Sequence, residues 1–295
     1  MLSNAGAQPE RETLEAFRAL APDLAPRDLQ DLMSYPFFAL TKTKRIRPID
    51  YHAGDITIRV EGSAEHGIAT IWDADVLIWI ASQLIEARDG GIPTSRRVVA
   101  TPYEILRFVG KKTGGRDYRR LKAAFDRLQS TTVATSIRQP SSRRLHRFSW
   151  INEWKERASA DGAPLGLELV IPDWFYASVL DPGRVLTVDR AYFRLQGGID
   201  RWLYRLARKH AGRQADGWRF DLRHLHARSG SLARYADFAI DLRRIARAGS
   251  LPGYRMAIER SRRGAEILHL RAAPTERIDR TVAELAAKFR TVDKL

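Results

Sequence analysis

The 295-residue chain contains no cysteine. This excludes disulfide bonds and thiolate metal sites, and it fits a reducing compartment. Long apolar runs are also missing: the longest, VLIWIA at 76–81, is far shorter than the roughly 20 apolar residues that span a bilayer. The N-terminus lacks the basic start and apolar stretch of a signal peptide. We therefore expect a cytoplasmic protein with no membrane partner.

Acidic residues are scarce relative to basic ones. The chain has 35 Asp and Glu against 50 Lys and Arg, which gives a formal net charge of +15. Such an excess favours a polyanionic partner, with nucleic acid as the first candidate and an anionic membrane surface as the second. A hydrophobic fraction of 44% is enough for a packed core and two modest domains.

Residues 1–33 differ from the rest of the chain because six acidic residues outnumber three arginines there. Three prolines, Pro9, Pro22 and Pro26, interrupt any long helix. We predict a flexible acidic arm with one short helix over residues 11–20.

Residues 34–157 are predicted to form a first winged-helix domain. Short strands are predicted first, over FFALTKTKRIRPIDY, DITIRVEG and IATIWD. An apolar helix, DADVLIWIASQLIEARDGG, follows them, and Thr101, Pro102 and Glu104 then mark the start of a second helix by the capping-box pattern. A third helix over residues 116–128 has Tyr118, Leu121 and related apolar positions on one face. Two alternating strands with the turn RQPSSRR follow, and we interpret this hairpin as the wing.

The same order of elements occurs again after a predicted linker at residues 158–166. Residues 167–273 are predicted to form a second winged-helix domain, and residues 274–295 a closing amphipathic helix. The predicted fold class is therefore α+β, with two tandem domains that each combine a helix-turn-helix with a β-hairpin wing.

Double-stranded DNA is the expected partner of the basic residues on the outer faces of these domains. Residues 111–147 hold eleven Lys or Arg and two acids, whereas a solvated helix face usually mixes the two signs. The second basic cluster, residues 234–263, contains more acidic residues. DNA contact is still favoured there, but a solvated helix face is a stronger alternative than it is for the first cluster. The predicted DNA-binding residues are Lys111, Lys112, Arg116, Arg119, Arg120, Lys122, Arg127, Arg143, Arg144, Arg234, Arg243, Arg244, Arg247, Arg262 and Arg263.

Other motifs point to no catalytic residue, metal or cofactor. GKKT at 110–113 lacks the glycine that a phosphate-binding loop needs at position 105. His224 and His226 suggest the histidine pair of strand-nicking enzymes, with Tyr204 as nucleophile, but they follow the tyrosine and lie in a predicted helix. Residues i and i+2 of a helix do not share a side. Four tryptophans, Trp79, Trp150, Trp202 and Trp218, occupy core-like positions. We expect a protein that is not an enzyme.

Several long stretches resemble the plasmid replication initiator protein A family. They include YPFFALTKTKRIRPIDY, GIATIWDADVLIWIASQLIEARDGG, TPYEILRFVGKKTGGRDYRRLKAAFDRLQSTTVATSIR and GWRFDLRHLHARSGS, and the resemblance covers roughly residues 33–271. It implies an initiator that binds repeated sites at a plasmid-type origin and recruits host replication proteins such as a helicase or its loader. A homodimer that represses its own promoter is also implied. A winged-helix transcriptional repressor is the alternative function, and a strand-nicking replicase is a third.

Overall fold

The computed structural model describes residues 15–274, except residues 22, 142 and 213. The helices are α1 (Gln30–Ser34), α2 (Ala74–Asp89), α3 (Pro102–Phe108), α4 (Gly115–Ser130), α5 (Asp173–Leu180), α6 (Gly198–His210), α7 (Leu222–Ser229) and α8 (Tyr235–Ala248). The strands are β1 (Phe17–Arg18), β2 (Arg27–Leu29), β3 (Ile49–Ala53), β4 (Ile56–Glu61), β5 (Arg97–Ala100), β6 (Thr132–Thr135), β7 (His146–Ser149), β8 (Glu153–Ala158), β9 (Pro164–Val170), β10 (Val185–Thr187), β11 (Trp218–Asp221), β12 (Tyr254–Arg260) and β13 (Glu266–Ala272). The predicted mixture of helices and strands is confirmed.

One order of elements occurs twice along the chain. A helix is followed by a strand, two helices and a β-hairpin, first as α2, β5, α3, α4 and β8–β9, and then as α6, β11, α7, α8 and β12–β13. The strands also pair in the same order, β5-β9-β8 and β11-β13-β12, and every one of these pairings is antiparallel. We call these two sets of elements the first repeat and the second repeat.

Helix α2 forms the centre of the first repeat because almost its whole circumference is apolar. Thirteen of its 16 residues are buried, including Trp79. Helix α3 begins with the predicted capping box: Thr101 accepts from the backbone N–H of Glu104, and the Glu104 carboxylate accepts from that of Thr101. Helix α4 turns Leu121, Phe125 and other apolar residues of its predicted stripe into the core.

The hairpin of the first repeat is not the one that the sequence suggested. Strands β6 and β7 belong to another sheet, with the order β3-β4-β6-β7. Residues 158–166, predicted to be a linker, instead contain the end of β8, a turn and the start of β9. The Ser159 amide donates to the Ala163 carbonyl at 2.9 Å to close this turn. Linkers and hairpin turns share small, polar and glycine-rich composition, so composition alone did not separate them. The division of the chain into two domains stays a prediction.

The predicted flexible arm is packed where the structure describes it. Leu29 and Met33 are fully buried, and β2 pairs with β10. The helix expected over 11–20 is wrong in its described part, because Phe17–Arg18 form a strand parallel to β5. The closing helix predicted at 274–295 lies outside the described residues from position 275 onward.

Two buried arginines of α6 join the second repeat to the rest of the molecule. The Arg201 guanidinium donates through Nη1 to Asp75 at 2.7 Å and through Nε to the Leu195 carbonyl at 2.9 Å. One turn later, Arg205 donates through Nε to Asp28 at 2.7 Å. Both arginines are almost inaccessible, at 0% and 2% exposure. Because burial disfavours the ionised carboxylate more than Arg201 restores it, the pKa of Asp75 is raised to about 6.

Backbone carbonyls provide further contacts at this joint. Arg45 donates through Nη1 to the Gly230 carbonyl at 2.5 Å, and Arg228 donates through Nε to the Ser34 carbonyl at 2.7 Å. Gly198, at the start of α6, lies so close to the Leu40 carbonyl that a Cβ atom would collide with it. The second repeat therefore has one tightly specified position against the rest of the molecule.

Within the described part of the chain, no helix is long and apolar enough to cross a membrane.

Replacing Arg201 by Met should destabilise the protein by roughly 3–5 kcal/mol at pH 7.5, because Asp75 would stay buried without its counter-charge. The loss should shrink as the pH falls from 7.5 to 5.5. The pKa of buried Asp75 in the folded variant lies well above its pKa in the unfolded chain. Lowering the pH therefore protonates Asp75 in the folded state first, and this stabilises the folded variant.

Chemical denaturation at the two pH values measures this effect. Arg59→Met is the matched control, because Arg59 is half-exposed and pairs with Asp50 and Glu61 at the surface. It should cost less than about 1 kcal/mol. An equal loss in both variants would contradict the special role of Arg201.

Candidate nucleic-acid interface

The turn between α3 and α4 presents two lysines to solvent. Gly110 has a φ of 66°, a conformation that glycine adopts without strain, and it ends α3 sharply. Lys111 and Lys112 follow at exposed positions, and neither makes an ion pair with another described residue. Their charges therefore remain available to a ligand.

The solvent side of α4 extends this positive surface, as its spacing predicted. Arg116 and Arg119 are exposed and have no acidic partner within the described part of the chain. Arg120 is 69% exposed and lies 3.5 Å from Asp117 one turn earlier, which is a weak surface pair. We call Lys111, Lys112, Arg116, Arg119 and Arg120 the α4 basic surface.

Two other predicted residues of α4 have partners within the protein. Lys122 pairs with Glu156 of β8 at 2.7 Å and so connects the helix to the hairpin. Arg127 was expected on the outer face, but it is only partly exposed. Its guanidinium donates through Nε and Nη2 to both carboxylate oxygens of Asp73, at 2.8 and 2.7 Å. The Asp73 side chain is 4% exposed, so Arg127 neutralises a buried charge before α2.

The β6–β7 turn carries Arg143 and Arg144, which are both exposed and make no ion pair among the described residues. This turn projects from the β3-β4-β6-β7 sheet rather than from the hairpin of the first repeat. Its arginines therefore form a separate basic group.

The cations of α8 in the second repeat are largely neutralised within the protein. Arg243 forms a bidentate pair with Glu266 of β13, with its shorter contact at 2.6 Å. Two further pairs lie on the helix: Arg234 with Asp237 at 2.9 Å and Arg244 with Asp241 at 3.3 Å. Arg247 is exposed and donates through Nε to the Arg243 carbonyl at 3.3 Å.

Arg262 and Arg263 are exposed at the β12–β13 turn, as predicted, and they make no ion pair with a described residue. The two repeats thus share a topology but differ in free charge. Among the described residues, the first presents several unpaired cations on its second helix and in the turn before it, whereas the second presents one on that helix, Arg247, and two at its hairpin turn.

Sequence reasoning missed two lysines that belong with the α4 basic surface. Lys42 and Lys44 line the same cleft as Lys111 and Arg120. The signal was present in the segment TKTKRIR at 41–47, where four of seven residues are basic. Reading this segment as a strand obscured it, because regular strand structure begins only at Ile49.

The motifs that suggested strand nicking are not arranged for it. Tyr204 is buried, its hydroxyl accepts the Asp189 N–H at 2.7 Å, and burial raises its pKa. His224 and His226 lie on α7, as predicted, and His226 contacts the Ala233 carbonyl at 2.8 Å. Within the described residues, no cluster of three potential ligands could hold a metal ion. Of the four tryptophans expected in the core, Trp218 is instead 42% exposed.

Comparison with known proteins gives consistent matches across most of the chain. The sequence model of the replication initiator protein A family matches residues 27–256. A protein of Wigglesworthia glossinidia brevipalpis named "Putative replication protein" is 30% identical over 227 residues, which is 75% of this chain and 81% of that protein.

Two solved structures share the fold, and both contain domains 2 and 3 of RctB. The first superposes with a TM-score of 0.57 at 16% identity and covers 80% of this chain and 94% of the other. The second, RctB residues 155–483, has a TM-score of 0.50 at 17% identity and covers 83% and 97% of the two chains. At this level of identity, the similarity establishes the fold.

Arg127 and Arg119 should behave differently although both are arginines of α4. Arg127→Met should destabilise the protein by about 3 kcal/mol, because Asp73 keeps its hydrogen bonds from Thr70 but is left buried without its counter-charge. Arg119→Ala should change stability by no more than about 0.5 kcal/mol. Thermal melts of the two variants measure this difference, and equal melting temperatures would contradict the structural role of the Arg127–Asp73 pair.

Proposed function

This chain belongs to the replication initiator protein A family, and on that premise we propose that it initiates replication by binding double-stranded DNA at repeated origin sites. In this proposal it also recruits host replication proteins, such as a helicase or its loader, in the cytoplasm. The chain itself carries out no catalysis. The observation that carries the proposal is the α4 basic surface, which presents five exposed cations on the second helix of the first repeat and in the turn before it, four of them without an acidic partner among the described residues.

Each repeat is interpreted as a winged helix. The winged-helix fold has a characteristic order of elements: a helix, a strand, two helices and a hairpin that pairs with the strand. The second of the two consecutive helices is the one that fits a DNA major groove. By this interpretation α4 and α8 are the recognition helices. The wings are the β8–β9 and β12–β13 hairpins, whereas the β6–β7 turn is an additional element that brings Arg143 and Arg144 to a flanking phosphate strand.

The two repeats are proposed to contribute unequally to DNA affinity. A cation that is already paired with a carboxylate releases fewer counterions when it meets a phosphate, so it adds less to salt-dependent binding. On α8, Arg234, Arg243 and Arg244 each have an acidic partner, which reduces their contribution. We expect α4 to supply most of the phosphate contacts, and α8 to contribute more through shape and base-edge contacts.

The fixed joint between the repeats sets a geometric expectation for the DNA site. Two recognition helices on one rigid chain read successive major grooves, which are about 10 bp apart. A single molecule would then cover on the order of 20 bp. Arginines that contact guanine edges would each contribute roughly 1–3 kcal/mol of discrimination.

A transcriptional repressor of the same fold remains the second candidate function, because binding by the α4 basic surface serves repression equally well. A homodimer that represses its own promoter would combine the two activities. Strand nicking receives less support, since the Tyr204 hydroxyl is buried and bonded to the backbone.

Footprinting on the DNA that flanks the gene distinguishes these functions. An initiator should protect several regularly spaced repeats of about 20 bp each, whereas a dedicated repressor should protect one operator. A plasmid that carries only this gene and those repeats should replicate in a permissive host. Failure to replicate, together with a single protected operator, would favour the repressor.

Salt dependence tests the unequal contribution of the repeats. The double variant Arg116→Ala and Arg119→Ala should reduce the slope of log affinity against log salt by about 2, because two phosphate contacts are lost. The control variant Arg243→Gln and Glu266→Gln removes a cation together with its partner and should leave the slope nearly unchanged. Fluorescence anisotropy at several salt concentrations measures both slopes. The opposite ranking would assign the phosphate contacts to α8.

A further inference from the structure

A cleft of about 450 Å³ opens beside α4 in the first repeat. Its walls come from the 42–44 segment, the start of α2, the end of α3 and one side of α4, and residues 195–196 also line it. Small-molecule sites in proteins have volumes of roughly 300–1,000 Å³. The cleft is therefore large enough for a ligand of nucleotide size.

Three carboxylates line this cleft, and two of them, Asp73 and Asp75, are already neutralised. Asp73 accepts two hydrogen bonds from Arg127, and Asp75 accepts one from Arg201 at 2.7 Å. Each pair has one positive and one negative charge, so the inner part of the cleft adds no net negative charge that would repel an anion.

The remaining charged groups give the cleft an excess of positive charge. Lys111 has no ion pair among the described residues, and Lys44 donates to the carbonyls of Ala64 and Glu65, which leave its charge uncompensated. Lys42 is likewise without an acidic partner in the described ranges, and Arg120 has only the weak contact with Asp117. Four cations from three segments thus meet at one opening that holds a single remaining lining carboxylate, Asp117, and this excess favours a ligand with several negative charges.

An aromatic and aliphatic wall accompanies these cations. Trp72 is half-buried, and the Lys42 ammonium lies 5.1 Å from its ring centroid. Buried Leu106 and Leu121 line the cleft as well. A flat apolar wall next to convergent cations suits a ligand that combines an aromatic base with phosphates, since aromatic rings stack on bases and ammonium and guanidinium groups bind phosphates.

From this geometry we propose that the cleft binds a nucleoside diphosphate or triphosphate. The base packs against Trp72 and the aliphatic wall, and the phosphates contact Lys42, Lys111 and Arg120. Because Lys111 and Arg120 also belong to the α4 basic surface, nucleotide and DNA compete for the same cations, and each lowers the affinity of the protein for the other. The competition rests on the proposed DNA-binding function, whereas nucleotide binding does not.

Calorimetric titration of the purified full chain with ADP and ATP tests the binding site. Pyrophosphate and adenosine serve as probes for the two halves of the ligand, and each should bind more weakly than ADP. Lys42→Ala should weaken ADP binding by about tenfold through the loss of a charge-assisted contact. Lys42 is exposed, so this variant should fold normally. Arg143→Ala removes another exposed cation, outside the cleft, and should leave ADP affinity unchanged.

Two results would overturn the nucleotide site. One is the absence of binding up to millimolar ADP and ATP. The other is equal affinity for pyrophosphate and ADP, with no effect of Lys42→Ala, which would mean that phosphates bind the basic surface without a base site. Trp72→Leu, checked for folding by its thermal melt, should weaken ADP binding while leaving pyrophosphate binding unchanged.

Anisotropy with labelled DNA tests the competition separately. ADP should raise the apparent Kd for DNA with the wild-type chain and have a much smaller effect with Lys42→Ala. Binding of ADP without any effect on DNA affinity would contradict the competition but keep the site. Binding of ADP by a chain that does not bind DNA at all would refute the proposed function instead.

Discussion

The arrangement of this molecule depends on two ion pairs that are hidden from solvent. Arg201 and Arg205 lie one turn apart on α6. Arg201 pairs with Asp75 of α2, and Arg205 pairs with Asp28 of β2. Such pairs gain little net stability over an apolar contact, because both charges lose their hydration. They are demanding in geometry, however, since a shift of the helix would leave a buried charge without a partner. The joint therefore fixes the position of the second repeat more strongly than apolar packing would.

The fixed joint also bears on the unequal number of unpaired cations in the two repeats. In the proposed complex with DNA, α4 would contact the phosphates through its unpaired cations, and the rigid joint would position α8 beside it. In that complex, the acidic partners of Arg243 and Arg244 would reduce the sequence-independent attraction of α8 for DNA. Selectivity between sequences benefits when sequence-independent attraction is limited.

The sequence predicted the helices of both repeats because their signals are local. The capping box at Thr101 and the apolar stripe of α4 both depend on residues within a few positions of each other. Strand partners depend on distant residues, which explains why the β6–β7 hairpin was taken for the wing of the first repeat. The alternation of residues along β6 and β7 is compatible with pairing in the sheet that contains β5 as well as in the β3-β4-β6-β7 sheet.

The charged residues show the same limit more clearly. Arg127, Arg201 and Arg205 have ordinary positions on amphipathic helices, and only their distant carboxylate partners identify them as buried or structural residues. The unpaired arginines of α4 could be predicted because exposure follows from helical spacing alone. Lys42 and Lys44 could not be placed next to α4 by any local pattern, since their segment joins the cleft only through the tertiary fold.

The pair between Asp28 and Arg205 also has a consequence for synthesis of the chain. The two residues are separated by 177 positions. At translation rates of about 5–20 residues per second, Asp28 waits on the order of 10–35 s for its partner to be made. Strand β5 likewise needs β9, about 70 residues later, before its sheet can form. Ribosome-bound chains that end before α6 would carry Asp28 and Asp75 without their arginine partners, so we expect the N-terminal half to complete its folding only after α6 has emerged.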